Sequence, residues 1–427
     1  MTRRAWWLVW LNIVIPGSAQ LVAGNRRLGR VGVSATFVAW GIMVAAAVIA
    51  LVAKSAVVTF ATNAILLTVV QVVLAFYAIL WSVLTLDTLR LVKLVKTIPL
   101  ARPLIAAFTV LMLALGAGTA SYASVAAGVT RNAEASIFTG TTMLAPSHGR
   151  YNILVLGGDA GADREGLRPD STSVASIDAV TGKTTLIGIP RNLERVKFAA
   201  DSPLWAPFPK GYNCGDLCLI DYLYTYAEMH PKLYPKAVAQ GSSPGIEAMM
   251  DAAEGVTGLK LQYYVLIDMK GFAELVDALG GVTVDVPERT ALGGVTGKKP
   301  TGYLEQGKQV LSGNQALSFA RSRYNTSDFV RMGHQRLIQE AMLKQFRPAV
   351  VLAKFQDIVK AGQQIVKTSI PTSALPGFVT LGDKARKLSV SRLELVPPEF
   401  EPAYPDYPKI QAAVRAAVKA PKAVVAP

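Results

Sequence analysis

Arginines dominate the residues that could do chemistry. Arg321 and Arg323 lie in Ala320-Arg321-Ser322-Arg323-Tyr324, and Asp328, Arg331 and Gln335 follow. If 320–324 is extended, Arg321 and Arg323 point the same way. Arg331 and Gln335, four apart, share a helix face, with Asp328 at that helix's start. Three arginines near a helix N-terminus make an anion site with several donors. A salt-bridged basic helix is the alternative. Only Asp328 lies within seven residues to pair them, which favours an external anion.

Two smaller groups could join that site. Gly157-Gly158-Asp159 ends an apolar run, and Arg168-Pro169-Asp170-Ser171 opens the next. Asp159 and Asp170 are then two carboxylates beside strand ends, where ligands of open α/β sheets collect. Without His or Cys they suit a hard ion such as Mg²⁺, with Mn²⁺ as a substitute, held together with phosphate oxygens. As isolated residues they read equally as loop caps. Arg191, in Ile189-Pro190-Arg191-Asn192, ends a third strand and could fork onto a phosphate; taken alone it is a surface arginine.

Other chemistries lack their residues. There is no G-x-S-x-G, no P-loop and no G-x-G-x-x-G opening a helix, and His148, His230 and His334 sit in unrelated contexts. Cys214 and Cys218 are the only cysteines. A pair four residues apart can close a small loop in an oxidising compartment. A zinc site would need two more ligands, and two free thiols is a third option.

Positioning these groups requires elements the pattern supplies. The run 151–157 reads as a buried strand, 171–178 as a second and 184–189 as a third, joined to the second by Thr181-Gly182-Lys183. Further strands are expected at 263–268 and 282–286. Helices are expected at 217–229, 245–255, 271–279, 312–320, and from 331 to about 359 with an interruption at Pro348. Residues 287–309 read as a Gly/Lys-rich loop. Strands interleaved with helices predict an α/β domain, a sheet covered by helices.

Composition places this domain behind a membrane region. The chain of 427 residues is 51% hydrophobic and 17% charged, against about a quarter charged in soluble domains. Apolar stretches at 31–53, 57–84 and 103–127 are each long enough to span. A shorter one, 5–22, is broken by Pro16-Gly17, flanked by arginines, and reads as dipping or interfacial with Trp6, Trp7 and Trp10. Residues 1–127 carry ten Lys/Arg and one acid. That charge sits in the 25–30 and 90–102 loops, so these stay cytoplasmic and the chain after about 128 is extracytoplasmic. No lysine-rich run points to nucleic acid. The predicted organisation is membrane region 1–127, linker 128–149, catalytic domain 150–400 and a Pro/Ala/Lys-rich tail 401–427 with a helix near 408–419.

Five blocks in order resemble the LytR-CpsA-Psr family: NILVLGGDAG (152–161), RPDST (168–172), TTLIGIPRN (184–192), YYVLIDMKGFAELVDALGGVTVDVP (263–287) and LSGNQALSFARSRY…SDFVRMGHQ (311–335). The resemblance covers roughly 150–400. It implies a membrane-anchored α/β/α domain with a central mixed sheet. The implied activity moves a glycopolymer from a polyprenyl-diphosphate carrier to peptidoglycan, the polymer being arabinogalactan in the actinobacterial type. Peptidoglycan, the carrier-linked glycan and membrane lipid are the implied partners, with no nucleic acid. It implies Asp159 and Asp170 near Mg²⁺ and the diphosphate. Arg168, Arg191, Arg321, Arg323 and Arg331 would grip the diphosphate, with Asp328 and Gln335 beside them. The chain departs from the family's P-R-D at Asn192 and from its K-I-N block at Leu219-Ile220-Asp221, just after the cysteine loop. A pyrophosphatase and a non-enzymatic lipid-binding sensor or transcription attenuator are the rival readings.

Overall fold

The computed structural model describes residues 2–52, 60, 63–140, 143–159, 168–215, 218–293, 299–324, 326–345 and 366–419. The chain divides into two compact units, Met1–Asn132 and Ala133–Pro427.

The first unit is helical. Helix α1 (Thr2–Val14) and the short α2 (Ser18–Ala23) precede α3 (Arg26–Val52), α4 (Ala64–Val92) and α5 (Ala101–Ile137). Three segments are long and apolar enough to cross a membrane: Arg26–Ile49, Ile65–Lys96 and Ala101–Gly128. The break expected at Pro16-Gly17 is present, with Gly17 at φ 98° between α1 and α2. Polar side chains tie this bent segment to α4. Asn12 donates to Thr85 Oγ1 at 3.2 Å, and Gln20 donates to the Leu84 carbonyl at 2.8 Å. Such bonds are the glue of apolar helix bundles. Helix α5 runs on to Ile137, ten residues into the segment read as a tether.

The second unit is built on a six-stranded mixed sheet. Its strands are β1 (Arg150–Asp159), β2 (Arg168–Asp178), β3 (Thr184–Ile189), β4 (Tyr263–Asp268), β9 (Val366–Thr368) and β10 (Ser391–Glu394), in the order β10-β3-β2-β1-β4-β9. β1, β2 and β3 are antiparallel neighbours, whereas β4 runs parallel to β1 and β10 parallel to β3. Every residue of β3 is buried, as a strand covered on both faces requires.

Alternation of side chains gives each face its own partners. Leu154, Leu156, Val174 and Ile187 pack on α6 (Ile220–Met229), α7 (Pro244–Thr257) and α12 (Tyr407–Val418), through Leu223, Met249, Val256 and Val414. The opposite face meets α8 (Met269–Ala278), α9 (Gly313–Arg321) and α10 (Asp328–Lys344), while Ile153 packs with Phe378 of α11 (Leu375–Ala385). The domain is therefore an α/β sandwich with a helical region before it. The tail helix α12 buries Ile410 and Val414 in the core.

The 287–309 segment departs from the expected loop. It forms a small ladder, β6 (Thr290–Leu292) with β7 (Gly302–Leu304), and β8 (Gly307–Leu311) pairs with β5 (Val282–Val286). Strands this short carry too few alternating residues to register as a pattern. The expected continuation of α10 toward 359 lies outside the described residues beyond Gln345.

A buried ion pair ties β10 to α10. Arg336 Nε lies 3.2 Å from Glu394 Oε1, with the Arg336 side chain 1% exposed. Burial pushes the Arg336 guanidinium down and the Glu394 carboxyl up, the latter opposed by Arg336 and Arg392. Gly188, opposite Glu394 in the β3–β10 register, leaves room for that carboxylate; a methyl group there would collide with it. Gly188→Ala is expected to cost about 1–3 kcal/mol of stability, read as a lower denaturant midpoint with unchanged slope.

Candidate active site

Loops at one end of the central strands assemble the site. β1 and β2 bulge apart between Gly157 and Gly158, with Asp159 opposite Arg168 as the last pair of their ladder. β4 ends beside β1, pairing Gly158 with Asp268. Strand β3 ends at Ile189, two residues before Arg191. Helix α9 stops at Arg321 because Ser322 turns away, donating to the Ala291 carbonyl at 2.7 Å. Helix α10 begins at Asp328, capped by Ser327, which accepts from Val330 N.

These edges bring the arginines to one carboxylate. Asp328 Oδ2 lies 2.9 Å from Arg331 Nη2 and 3.4 Å from Arg191 Nε, and its Oδ1 lies 3.3 Å from Arg323 Nε. Arg191 Nη1 also reaches Asp170 Oδ1 at 3.2 Å. Arg331 Nη1 donates to the Asp170 carbonyl at 3.0 Å. Arginines from β3's end, the α9–α10 connection and α10 itself, together with Asp170 of β2, thus form one cluster.

The electrostatics follow from that crowding. Burial alone would raise the Asp328 carboxyl, but the hydrogen bond and charge of Arg331, with Arg191 and Arg323, hold it below the usual carboxylate range. Burial pushes the Arg323 guanidinium down, and the neighbouring Arg331 and Arg191 push it further. Three cations sharing one full carboxylate and part of a second leave the cluster cationic. Buried polar atoms there still lack partners: Arg331 Nε and Gln335 Oε1 have no hydrogen bond. A buried donor without a partner is costly.

An apolar cleft opens beside the cluster. It measures about 790 Å³ counted out to its mouth, and Val155, Ile267, Phe272, Leu317, Ile338 and Met342 line it. Its polar end carries Asp170, Asp268, Arg321, Arg331 and Gln335. A cationic cluster beside an apolar cleft suits a ligand with an anionic head and an apolar tail.

Asp170, Arg191, Arg323, Asp328, Arg331 and Gln335 come together. Arg321 and Arg323, expected to act side by side, separate: α9 ends between them, so Arg321 faces the cleft and Arg323 the Asp328 cluster. Asp159 and Arg168 hold the expected backbone positions, but their side chains lie outside the described residues. Asp268 went unpredicted. It lines the cleft while capping α8, accepting from Gly271 N at 2.8 Å; an aspartate between a strand and a helix reads as a cap and nothing more. Buried Arg336 was equally hidden, because its partner Glu394 is remote in sequence.

Among the described residues no group of three His, Cys, Asp or Glu could hold a metal by itself. Asp170 and Asp268 are hard oxygen donors at the cleft's polar end, and Mg²⁺ commonly takes one or two carboxylates plus substrate phosphates. The residues therefore fit a Mg²⁺ shared with a diphosphate. Cys214 and Cys218 form a disulfide, their Cα atoms 5.2 Å apart, which excludes the zinc and free-thiol alternatives.

The chain is similar in sequence to several known proteins. The chain is 30% identical over 128 residues to polyisoprenyl-teichoic acid–peptidoglycan teichoic acid transferase TagU of Bacillus cereus, which covers 30% of the chain and 40% of that protein. To the Bacillus mycoides TagU it is 26% identical over 222 residues, covering 51% of the chain and 60% of the relative. To TagV of Bacillus subtilis it is 25% identical over 205 residues, covering 48% and 45%. The chain thus spans between two-fifths and three-fifths of the length of these relatives. The crystal structure of B. subtilis TagV superposes with a TM-score of 0.45 at 20% identity, covering 64% of this chain and 96% of that one. The model of the LytR_cpsA_psr family matches residues 117–398. That match takes in the mixed sheet, the arginine cluster and the cleft together, and the chain belongs to the LytR_cpsA_psr family.

Proposed function

We propose that this protein transfers a glycopolymer from a polyprenyl-diphosphate carrier to peptidoglycan, forming a phosphodiester bond. The observation that carries this is the convergence of Arg191, Arg323 and Arg331 on Asp328 at the polar end of an apolar cleft. The relatives named teichoic acid transferases support the class of reaction. The glycan is arabinogalactan or a similar polymer in this reading.

The arginines hold the diphosphate and offset the charge that grows on the leaving phosphate. An acceptor sugar hydroxyl attacks the phosphorus that bears the glycan. The bridging P–O bond breaks, polyprenyl phosphate leaves with its electron pair, and the hydroxyl proton passes to a carboxylate. Asp170, which lines the cleft, takes that role, with Asp159 as the alternative. No enzyme nucleophile is required. Mg²⁺ held by Asp170 and Asp268 would supply Lewis-acid charge at the phosphates, and the sequence offers Asp159 as a further ligand. In this reading the chain crosses the plasma membrane more than once, which three helices long and apolar enough to span support, and its α/β unit lies outside the cytoplasm, which the basic 25–30 and 90–102 loops support.

The full-length protein, given a polyprenyl-diphosphate-linked glycan and peptidoglycan, should yield a phosphodiester-linked product that depends on both. Release of glycan phosphate to water, unchanged by peptidoglycan, would make it a pyrophosphatase instead. Tight binding with no turnover would make it a sensor.

A further inference from the structure

We propose that His334, stacked on Phe319, is a positioning residue that joins α9 to α10 and so sets Arg321 and Arg323 against Arg331; this rests on the transfer reaction above and adds a proton-sensitive joint to it. The ring sits where the two arginine-bearing helices meet. Phe319 lies two residues before Arg321 and four before Arg323, and His334 lies three residues after Arg331. Their rings stack with centroids 4.2 Å apart and planes 22° from parallel. Phe319 is fully buried in a core with Val284, Leu311 and Ile338, and His334 is 3% exposed. One residue further along each helix, Gln335 Nε2 donates to the Ala320 carbonyl at 3.4 Å. Beyond it, the Ser322 bond to the Ala291 carbonyl holds the end of α9 from the other side.

Packing alone would be met by an ordinary aromatic residue. His334 instead carries two ring nitrogens into the core, and neither makes a hydrogen bond of normal geometry. Polar atoms buried in this way are costly, and a charged imidazolium costs more. Burial holds the ring below the ordinary histidine value, against the opposing pull of the Phe319 backbone and Glu288. Glu288 is exposed on the connection between β5 and β6. The elements packed on α10 are α9, β5, β3 and α11. Their charged groups are Arg321 on α9, Asp285 on β5, and Asp383 and Lys384 on α11, with none on β3. On α10 itself Arg331 and Arg336 lie within one turn of the ring.

The folded ring is therefore neutral at neutral pH. Its contribution to stability is complete above the unfolded value of about 6.5, and is lost as pH falls from there through the lower folded value. A proton taken up in that range is held in the core without a well-formed acceptor. The stack opens, the end of α9 comes away from α10, and Arg321 and Arg323 no longer converge with Arg331 on one diphosphate.

The chain has three histidines, so each can be followed separately. In full-length protein in detergent with isotope-labelled histidine, the His334 signal is the one that disappears in His334→Phe. It should titrate below the ordinary value of about 6.5. Binding of a polyprenyl diphosphate and transfer of the carrier-linked glycan are then measured across the histidine range. In wild type both should fall in acid, with a limiting slope of about tenfold per pH unit. His334→Phe keeps a flat ring but takes up no proton. It should match wild type at neutral pH within about twofold and keep its activity where wild type loses it. An unchanged acid limb in His334→Phe overturns the joint, as does a His334 signal that titrates at the ordinary value. So does a loss in His334→Phe that is equal at every pH, which would make the stack packing alone. A wild type that binds the diphosphate with this pH dependence but transfers nothing overturns the transfer reaction and leaves the joint standing.

Discussion

Arg323→Ala should abolish transfer while leaving the protein folded. The guanidinium contributes through charge and hydrogen bonding at the diphosphate, where a single arginine is worth about 10³-fold or more in phosphoryl transfer. Its removal costs the fold little. The side chain is 33% exposed, and Asp328 keeps Arg191 and Arg331 as partners when Arg323 is gone. Phosphodiester formation should fall below detection while the thermal midpoint stays close to wild type. Arg323→Lys restores a point charge without the planar fork and should recover only a fraction of the rate. Undiminished turnover in Arg323→Ala would remove the arginine cluster from the mechanism.

Asp328→Asn should do something different, because this carboxylate serves the arginines and not the substrate directly. Without it, Arg191, Arg323 and Arg331 repel one another across a partly buried space. We expect a loss of about 2 kcal/mol in the ligand-free protein, between the values for exposed and buried pairs. The same change leaves the cluster hungrier for anions. A polyprenyl diphosphate should therefore raise the thermal midpoint of Asp328→Asn by more than it raises that of wild type. Transfer should drop about 10²-fold, because the guanidiniums lose their orientation. The pH dependence has a definite sign. The folded carboxyl lies below its ordinary value of about 3.9, so its stabilisation is complete above that pH and is lost as pH falls through the lower folded value. The stability gap between wild type and Asp328→Asn should be constant at neutral pH and close only in strong acid. A gap that closes near neutrality would show that another group holds the arginines.

Local pattern carried a good part of the architecture. Strands β1, β3 and β4 are dense in β-branched and apolar residues, so each registers as strand from its own composition, whereas the Ser-rich β2 registers more weakly. Helix α10's opening was legible in part: Asp328 sits well in a first turn, but the helix was expected from 331 and begins at Asp328, capped by Ser327. Arg331 and Gln335 share a face by helix periodicity alone, and both are buried at the cleft. The three membrane-length helices needed only length and hydropathy.

Pairing across the chain was another matter. Nothing local distinguishes Arg321 from Arg323. A helix end falling between them, set by a Ser322 bond to Ala291, sends one to the cleft and the other to Asp328. Asp268 looks like an ordinary cap until β4 is laid beside β1, which puts it against Gly158. Arg336 looks like a surface cation until Glu394 arrives on a strand from far down the chain.

The amino-acid order by itself determined which segments are apolar, which are strands or helices, and which side chains could bind an anion, because those properties depend on residues within a few positions of one another. Only the tertiary structure decided which arginines share a carboxylate and which carboxylates face the cleft. Those contacts join elements up to more than a hundred residues apart, and their geometry is set by strand order and helix ends that no local window contains.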